Sequence, residues 1–208
     1  MAELKTRGRD DLVARAWLPL HNYLLNHPVD YPDDDVNLKS VPLEASEIER
    51  RRLTPAQVAA INHARLISHM ARTPGGHTVM DKPSDDSNGF RKFEMYERIF
   101  MSRFGYEVPI ISTEGGAIGG AREDPRYPSL DDADVSAETL YAYQYMLQQA
   151  PAYYFAFTPW ILANFAGGHG DPRFEAAAWY KAINGPTLPV VAALKRNPLI
   201  GQVRVHQP

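Results

Sequence analysis

The sequence predicts an α/β domain in which parallel strands alternate with helices, and three observations predict it. Three short apolar runs, ARAWLPLH from Ala14 to His21, EVPIIST from Glu107 to Thr113 and YYFAFTPWIL from Tyr153 to Leu162, have the length of buried strands. Each is followed, after a loop, by helical text, giving the order strand, helix, strand, helix, strand, helix. The middle run is β-branched and apolar on both faces, as expected of a central parallel strand covered on each side.

Each element has a local reason. The first strand closes on His21, Asn22 and Tyr23. Residues 24–88 then read as an inserted excursion, with Pro28, Pro32 and Pro42 and the acidic run Asp33 to Asp35 breaking any period. The acidic run reads as a solvated turn. Thr54, Pro55 and Gln57 form a capping box that opens a helix running to Arg72. A second helix starts near Gly89, carries Phe93, Tyr96, Phe100 and Phe104 on one stripe, and stops at Gly105. Ser136 and Glu138 begin a third, with Leu140, Tyr143 and Leu147 on one face and Pro151 beyond its end. Asp171 with Pro172 caps a fourth, ending at Asn184 and Gly185.

Composition narrows the function. At 208 residues, 44% hydrophobic and 23% charged, the chain suits one globular domain with a sizeable core. A net charge of -3 and a single short basic run, Glu49 to Arg52, argue against nucleic acid as partner. No apolar stretch is long enough for a membrane span and Met1 to Asp11 is charged, so the reading is of a soluble chain without a signal sequence. With no cysteine, thiolate chemistry, disulfides and cysteine zinc sites are excluded. Eight Phe, eleven Tyr and three Trp suit either a packed core or a site that stacks sugar rings.

In parallel α/β sheets ligands bind beyond the carboxyl ends of the strands, which singles out His21, Asn22 and Tyr23, then Glu114, then Trp160 with Asn164. Glu114 is the sharpest. A carboxylate directly after PIIST and before Gly115 and Gly116 has no packing purpose and a backbone that a ligand can approach. Its bland alternative is a cap or an ion pair with Arg122. Other constellations carry less. His63 and His69 are six residues apart on a helix, a turn of about 600 degrees, so with His77 they make no metal site. The glycines from Gly115 to Gly120 lack the Lys and Ser or Thr of a phosphate loop, and Ser112 lacks a nucleophile-elbow context. No cofactor and no metal is expected.

PIISTEGG, followed by a strand ending in FTPW, resembles the last strands of a clan A glycoside hydrolase barrel, the cellulase-like (β/α)8 enzymes. The resemblance implies the C-terminal part of such a barrel, strands six to eight, over Ala14 to Ile183, with residues 24–88 as an insertion. It implies Glu114 as nucleophile, His21, Asn22 and Tyr23 as the family's His, any residue, Tyr pattern with Tyr23 bonding the nucleophile, and Trp160 as the floor under the sugar. His21 or Asn164 would bind hydroxyls. The family's general acid is a Glu following Asn, and this sequence has no Asn-Glu pair. A closed barrel takes about 250 residues. The resemblance therefore implies a piece of a longer enzyme, with a carbohydrate substrate and with an N-terminal barrel half or self-association as partner. The alternative is a non-catalytic carbohydrate-binding or assembly subunit.

Overall fold

Three strands, Leu18–Leu25 (β1), Ile110–Ala117 (β2) and Tyr154–Phe157 (β3), pair in parallel in the order β1-β2-β3. The computed structural model describes residues 2–72, 89–119, 124–164, 172–181 and 185–197. Two short helices, Ala2–Thr6 (α1) and Asp10–Val13 (α2), precede β1. Asp35–Lys39 (α3), Ala45–Arg51 (α4) and Pro55–Arg72 (α5) follow it, and Lys92–Phe104 (α6) leads into β2. Asp132–Gln148 (α7) joins β2 to β3, and Pro189–Arg196 (α8) follows a 3-10 turn at Pro172–Ala177. The chain is thus α/β, with a small parallel sheet alternating with helices.

The sheet has one covered face. Leu20 and Leu24 of β1, Ile110 of β2 and Tyr154 and Phe157 of β3 share a core with Phe90, Phe93 of α6, Val135 and Ala142 of α7, and Val190 and Val191 of α8. Its centre is aromatic: Phe93 stacks on Tyr154 at 4.1 Å between ring centroids, and Phe90 meets Phe93, Tyr145, Tyr154 and Phe157 edge to face. On the opposite face Pro19, His21, Thr113 and Phe155 are exposed, Phe155 to 57%. Cover on both faces, expected from the apolar text, is therefore met on one face among the described residues.

Element boundaries moved for identifiable reasons. β1 begins and ends four residues later than the apolar run, so His21 to Tyr23 lie inside the strand. β2 extends through Ala117 because Gly115 and Gly116 pair with Asn22 and Tyr23 instead of leaving the sheet. β3 ends at Phe157, before Pro159, which has no N–H to donate. α7 starts at its Asp131 cap, ahead of Ser136. Of the helix expected from Asp171 to Ile183, the described residues form only the 3-10 turn, because Trp179 and Tyr180 donate their backbone N–H groups to Ile161 and Leu162 at 3.0 and 2.9 Å; Asp171 and residues 182–183 lie outside the described residues. The Thr54–Gln57 box forms as read, with Thr54 N–H donating to Gln57 Oε1 at 2.8 Å and Gln57 N–H to Thr54 Oγ1 at 3.3 Å.

Residues 24–72 are wired to the β2–α7 loop through buried polar groups. Asn26 Nδ2 donates to the carbonyls of Asp124 and Tyr127, and its Oδ1 accepts from Asp124 N–H at 2.9 Å. Arg126, 7% exposed, ion-pairs with Asp124 and donates to Asn37 Oδ1 at 2.7 Å. Arg65 of α5 donates to the carbonyls of Arg126 and Val41. In the acidic run Asp33 and Asp35 are exposed, as read, but Asp34 is buried: it caps α3 through Asn37 N–H and accepts from the Tyr127 hydroxyl at 3.0 Å, while Asp33 pairs with Arg91.

Candidate active site at the carboxyl ends of the strands

Glu114 reaches the open face of the sheet through a bulge. Leu20 pairs with Ser112 and His21 with Glu114, which leaves Thr113 as one extra residue in β2. Strict alternation would put Glu114 on the face opposite Thr113, against the helices; the extra residue re-aims it. Ser112 Oγ donates to the Glu114 carbonyl at 2.6 Å and Thr113 Oγ1 to the Leu20 carbonyl at 3.4 Å, fixing the irregular segment.

The bulge places Glu114 beside His21 and Tyr23. The Tyr23 hydroxyl donates to Glu114 Oε2 at 2.8 Å, and His21 Nδ1 lies 3.3 Å from the same oxygen. Glu114 Oε1 has no hydrogen-bond partner among the described residues. The glutamate side chain is 30% exposed and the imidazole 56%, so the pair opens to solvent. Burial, and then the hydrogen bond and charge of Glu114, push the Tyr23 phenol far above its ordinary range. Tyr23 is therefore a neutral donor at any working pH.

Two glycines let the neighbouring strands close on this point. A Cβ on Gly115 would collide with the Asn22 carbonyl and sit 3.0 Å from the Phe157 ring, and one on Gly116, at φ 104°, would sit 3.3 Å from Pro159. Trp160 N–H donates to the Gly115 carbonyl at 2.7 Å, so the chain leaving β3 is tied to the residue after Glu114. The half-buried Trp160 ring meets Phe174 edge to face at 5.8 Å. Asn164 Nδ2 donates to Glu175 Oε2 at 3.2 Å.

The structure thus brings His21, Tyr23 and Glu114 into direct contact and ties Trp160 to the adjacent backbone. Asn22 departs from the expected set. It is 0% exposed and points to the helix-covered face, where Nδ2 donates to the Phe90 carbonyl and the Tyr154 hydroxyl. Alternation along β1 demands this: His21 and Tyr23 on either side of Asn22 face the open side of the sheet, so Asn22 cannot. Glu175 and Phe174, absent from the sequence-derived set, lie in a stretch without periodicity, and their proximity to Trp160 and Asn164 comes from the backbone pairing of 161–163 with 177–180.

Asp124, a carboxylate in the loop after β2, is already committed. Burial alone would raise its pKa, but hydrogen bonds from His27 and Arg126 outweigh this and hold it well below the usual carboxylate range. It cannot retain a proton to give away at neutral pH. Glu123 and Arg122 lie outside the described residues, as do the His69 side chain and His77. Among the described residues no cluster of His, Asp and Glu could hold a metal ion, and no helix is long and apolar enough to cross a membrane. No family model matches the chain, and no curated protein or solved structure is significantly similar to it.

Proposed function

We propose that this chain carries the nucleophile half of a retaining glycoside hydrolase, on strands corresponding to six, seven and eight of a (β/α)8 barrel. The observation that supports it most is the Tyr23–Glu114 hydrogen bond at the carboxyl ends of parallel strands, with Trp160 tied to the next residue. A carboxylate with one oxygen held by a neutral hydroxyl and the other open is suited to attack on carbon. Glu114 Oε1 would bond to the anomeric carbon as the bond to the leaving oxygen breaks, giving a glycosyl ester. Water then cleaves that ester. Tyr23 orients the carboxylate throughout, and Trp160 offers an apolar face to the C–H groups of the sugar.

Retention also needs a second carboxyl, about 5 to 5.5 Å from the first, to protonate the leaving oxygen and later deprotonate water. Asp124 is excluded by its ion pair. β1 and β3 are edge strands among the described residues, and parallel strands added there would supply both cover for the open face and a place for the acid. The partner expected on this reading is an N-terminal barrel half.

The test is covalent trapping. A 2-deoxy-2-fluoro aryl glycoside with a good leaving group needs little protonation, so the chain should release the aryl alcohol and gain the mass of the sugar on the peptide holding Glu114. Glu114→Gln should do neither. Absence of the adduct from the folded chain, across gluco, manno and galacto donors, would sink the nucleophile assignment. Binding of glycosides without any adduct would instead favour the non-catalytic carbohydrate-binding reading.

A further inference from the structure

We propose that Glu175 is a specificity-determining residue of this site, accepting hydrogen bonds from neighbouring hydroxyl groups of the sugar that lies against Trp160. The inference rests on the carbohydrate reading of the site and adds to it a residue and a selectivity.

The placement of Glu175 follows from backbone pairing. The Trp160 main chain is fixed to the strand end by the 2.7 Å bond from its backbone N–H to the Gly115 carbonyl. The residues after it accept from the segment that carries Glu175: Trp179 N–H donates to Ile161 and Tyr180 N–H to Leu162, at 3.0 and 2.9 Å. Phe174, next in sequence, rests its ring against Trp160. Lys181 Nζ donates to the Glu175 carbonyl at 2.7 Å, which fixes the main chain of the turn. Glu175 is therefore held on the same wall as Trp160 and Asn164.

Its chemistry is that of a hydroxyl receptor. Asn164 Nδ2 occupies one position on Oε2 and orients the carboxylate, whereas Oε1 has no partner among the described residues. The side chain is half-buried, and no arginine or lysine pairs with its carboxylate among the described residues. An oriented carboxylate accepts from two adjacent hydroxyls at once, and an epimer with one of them turned away leaves an acceptor unpaired. Beside an aromatic face, such a group discriminates between hexose epimers.

The test uses the whole chain and three disaccharides, cellobiose, β-1,4-mannobiose and lactose, which present different hydroxyl epimers. Titrations follow the Trp160 indole N–H signal by NMR, assigned with Trp160→Phe. Glu175→Gln is isosteric and its amide oxygen still accepts from Asn164, so the turn keeps its shape. The best-bound disaccharide should weaken by about 10-fold, as expected for losing hydrogen bonds to a charged acceptor, and the differences among the three should shrink. Glu175→Asp should fall between. Unchanged affinity and ranking in Glu175→Gln, with Glu114 still trapped by the fluoro sugar, would overturn this inference alone. If none of the three moved the Trp160 signal in the wild type, the inference would fall together with the carbohydrate reading. Loss of aryl glycoside turnover in Glu175→Gln, restored by azide, would mark Glu175 as the proton donor and also overturn the assigned role.

Discussion

Tyr23 and Glu114, 91 residues apart in sequence, are joined by a 2.8 Å hydrogen bond from the phenol to Oε2. His21 Nδ1 approaches the same oxygen at 3.3 Å. With Oε2 held by the phenol, Oε1 is left open to the exposed face of the sheet, which on the proposed reading makes it the attacking atom. Tyr23→Phe should therefore leave the fold intact and remove a charge-assisted bond. Such bonds contribute roughly 1.5–3 kcal/mol, so kcat on an activated aryl glycoside should fall about 10- to 100-fold with a smaller change in KM. Steady-state kinetics on both proteins check this; equal kcat values would show that the phenol is not needed to hold the carboxylate.

Asn22 sits between His21 and Tyr23 yet serves the core. Removing its amide leaves the Phe90 carbonyl and Tyr154 hydroxyl without their buried donor. Asn22→Ala should cost on the order of 1–3 kcal/mol in unfolding free energy. Per folded molecule, the rate of Glu114 labelling should be unchanged. Denaturant titration and labelling on the same samples separate the two effects, and a labelling defect without a stability loss would return Asn22 to the site.

The parts of this fold that were legible in the sequence are those written in local chemistry. The parallel order of the strands followed from apolar runs alternating with helical text, the start of α5 from Thr54 and Gln57, and the end of α6 from Gly105, which adopts φ 74°. Glu114 was legible as a carboxylate out of place beside two glycines. The bulge that aims it was not, because Ile111, Ser112, Thr113 and Glu114 carry no mark of where alternation breaks. Asn22 was misplaced for the opposite reason: alternation, applied strictly, already turned it away from His21 and Tyr23. The Asp33 to Asp35 run hid a buried cap because its partner, Tyr127, is 93 residues from Asp34. Glu175 was invisible because the contact with Asn164 depends on backbone pairing of two segments without regular structure.

Asp124 and Arg126 are both largely buried, with side chains 17% and 8% exposed, and bond each other directly. Breaking a buried pair by removing one partner strands the other charge, at roughly 3–5 kcal/mol. Asp124→Asn should therefore destabilise the chain by about that much. Because the Asp124 pKa is depressed, its stabilisation is present above the unfolded value of 3.8 and is lost as pH falls below it. The variant should thus lose stability relative to wild type at neutral pH and converge with it in acid. Replacing both residues, as in Asp124→Asn with Arg126→Met, should cost less than the sum of the single changes. Additive costs would mean the two charges are not coupled as the geometry requires.

Glu138 of α7 supplies a pH dependence of the opposite sign in a different window. Burial first, opposed by Arg51, and then the charges of Asp134 and Asp30, push its carboxyl up from 4.5 to about 7. Below pH 4.5 both the folded and unfolded chains hold this proton, so it has no influence on stability. Between 4.5 and about 7 the folded chain keeps the proton while the unfolded chain has released it, so stability falls as pH rises. Above about 7 the folded chain also carries the charge, and the full cost is present. Partial exposure of the side chain reduces that cost to on the order of 1–2 kcal/mol. Glu138→Gln removes the titration, so relative to wild type it should gain thermal stability progressively across this window, at roughly 2–4 °C per kcal/mol for a chain of this size. Asp30, raised in the same direction by burial and by Asp34, adds its own titration to both proteins, and only its charge coupling to Glu138 differs between them. Thermal melts of the two proteins from pH 4.5 to 8 read the effect as a widening gap in Tm, and a gap that stays constant across that range would show that Glu138 does not hold its proton in the folded chain.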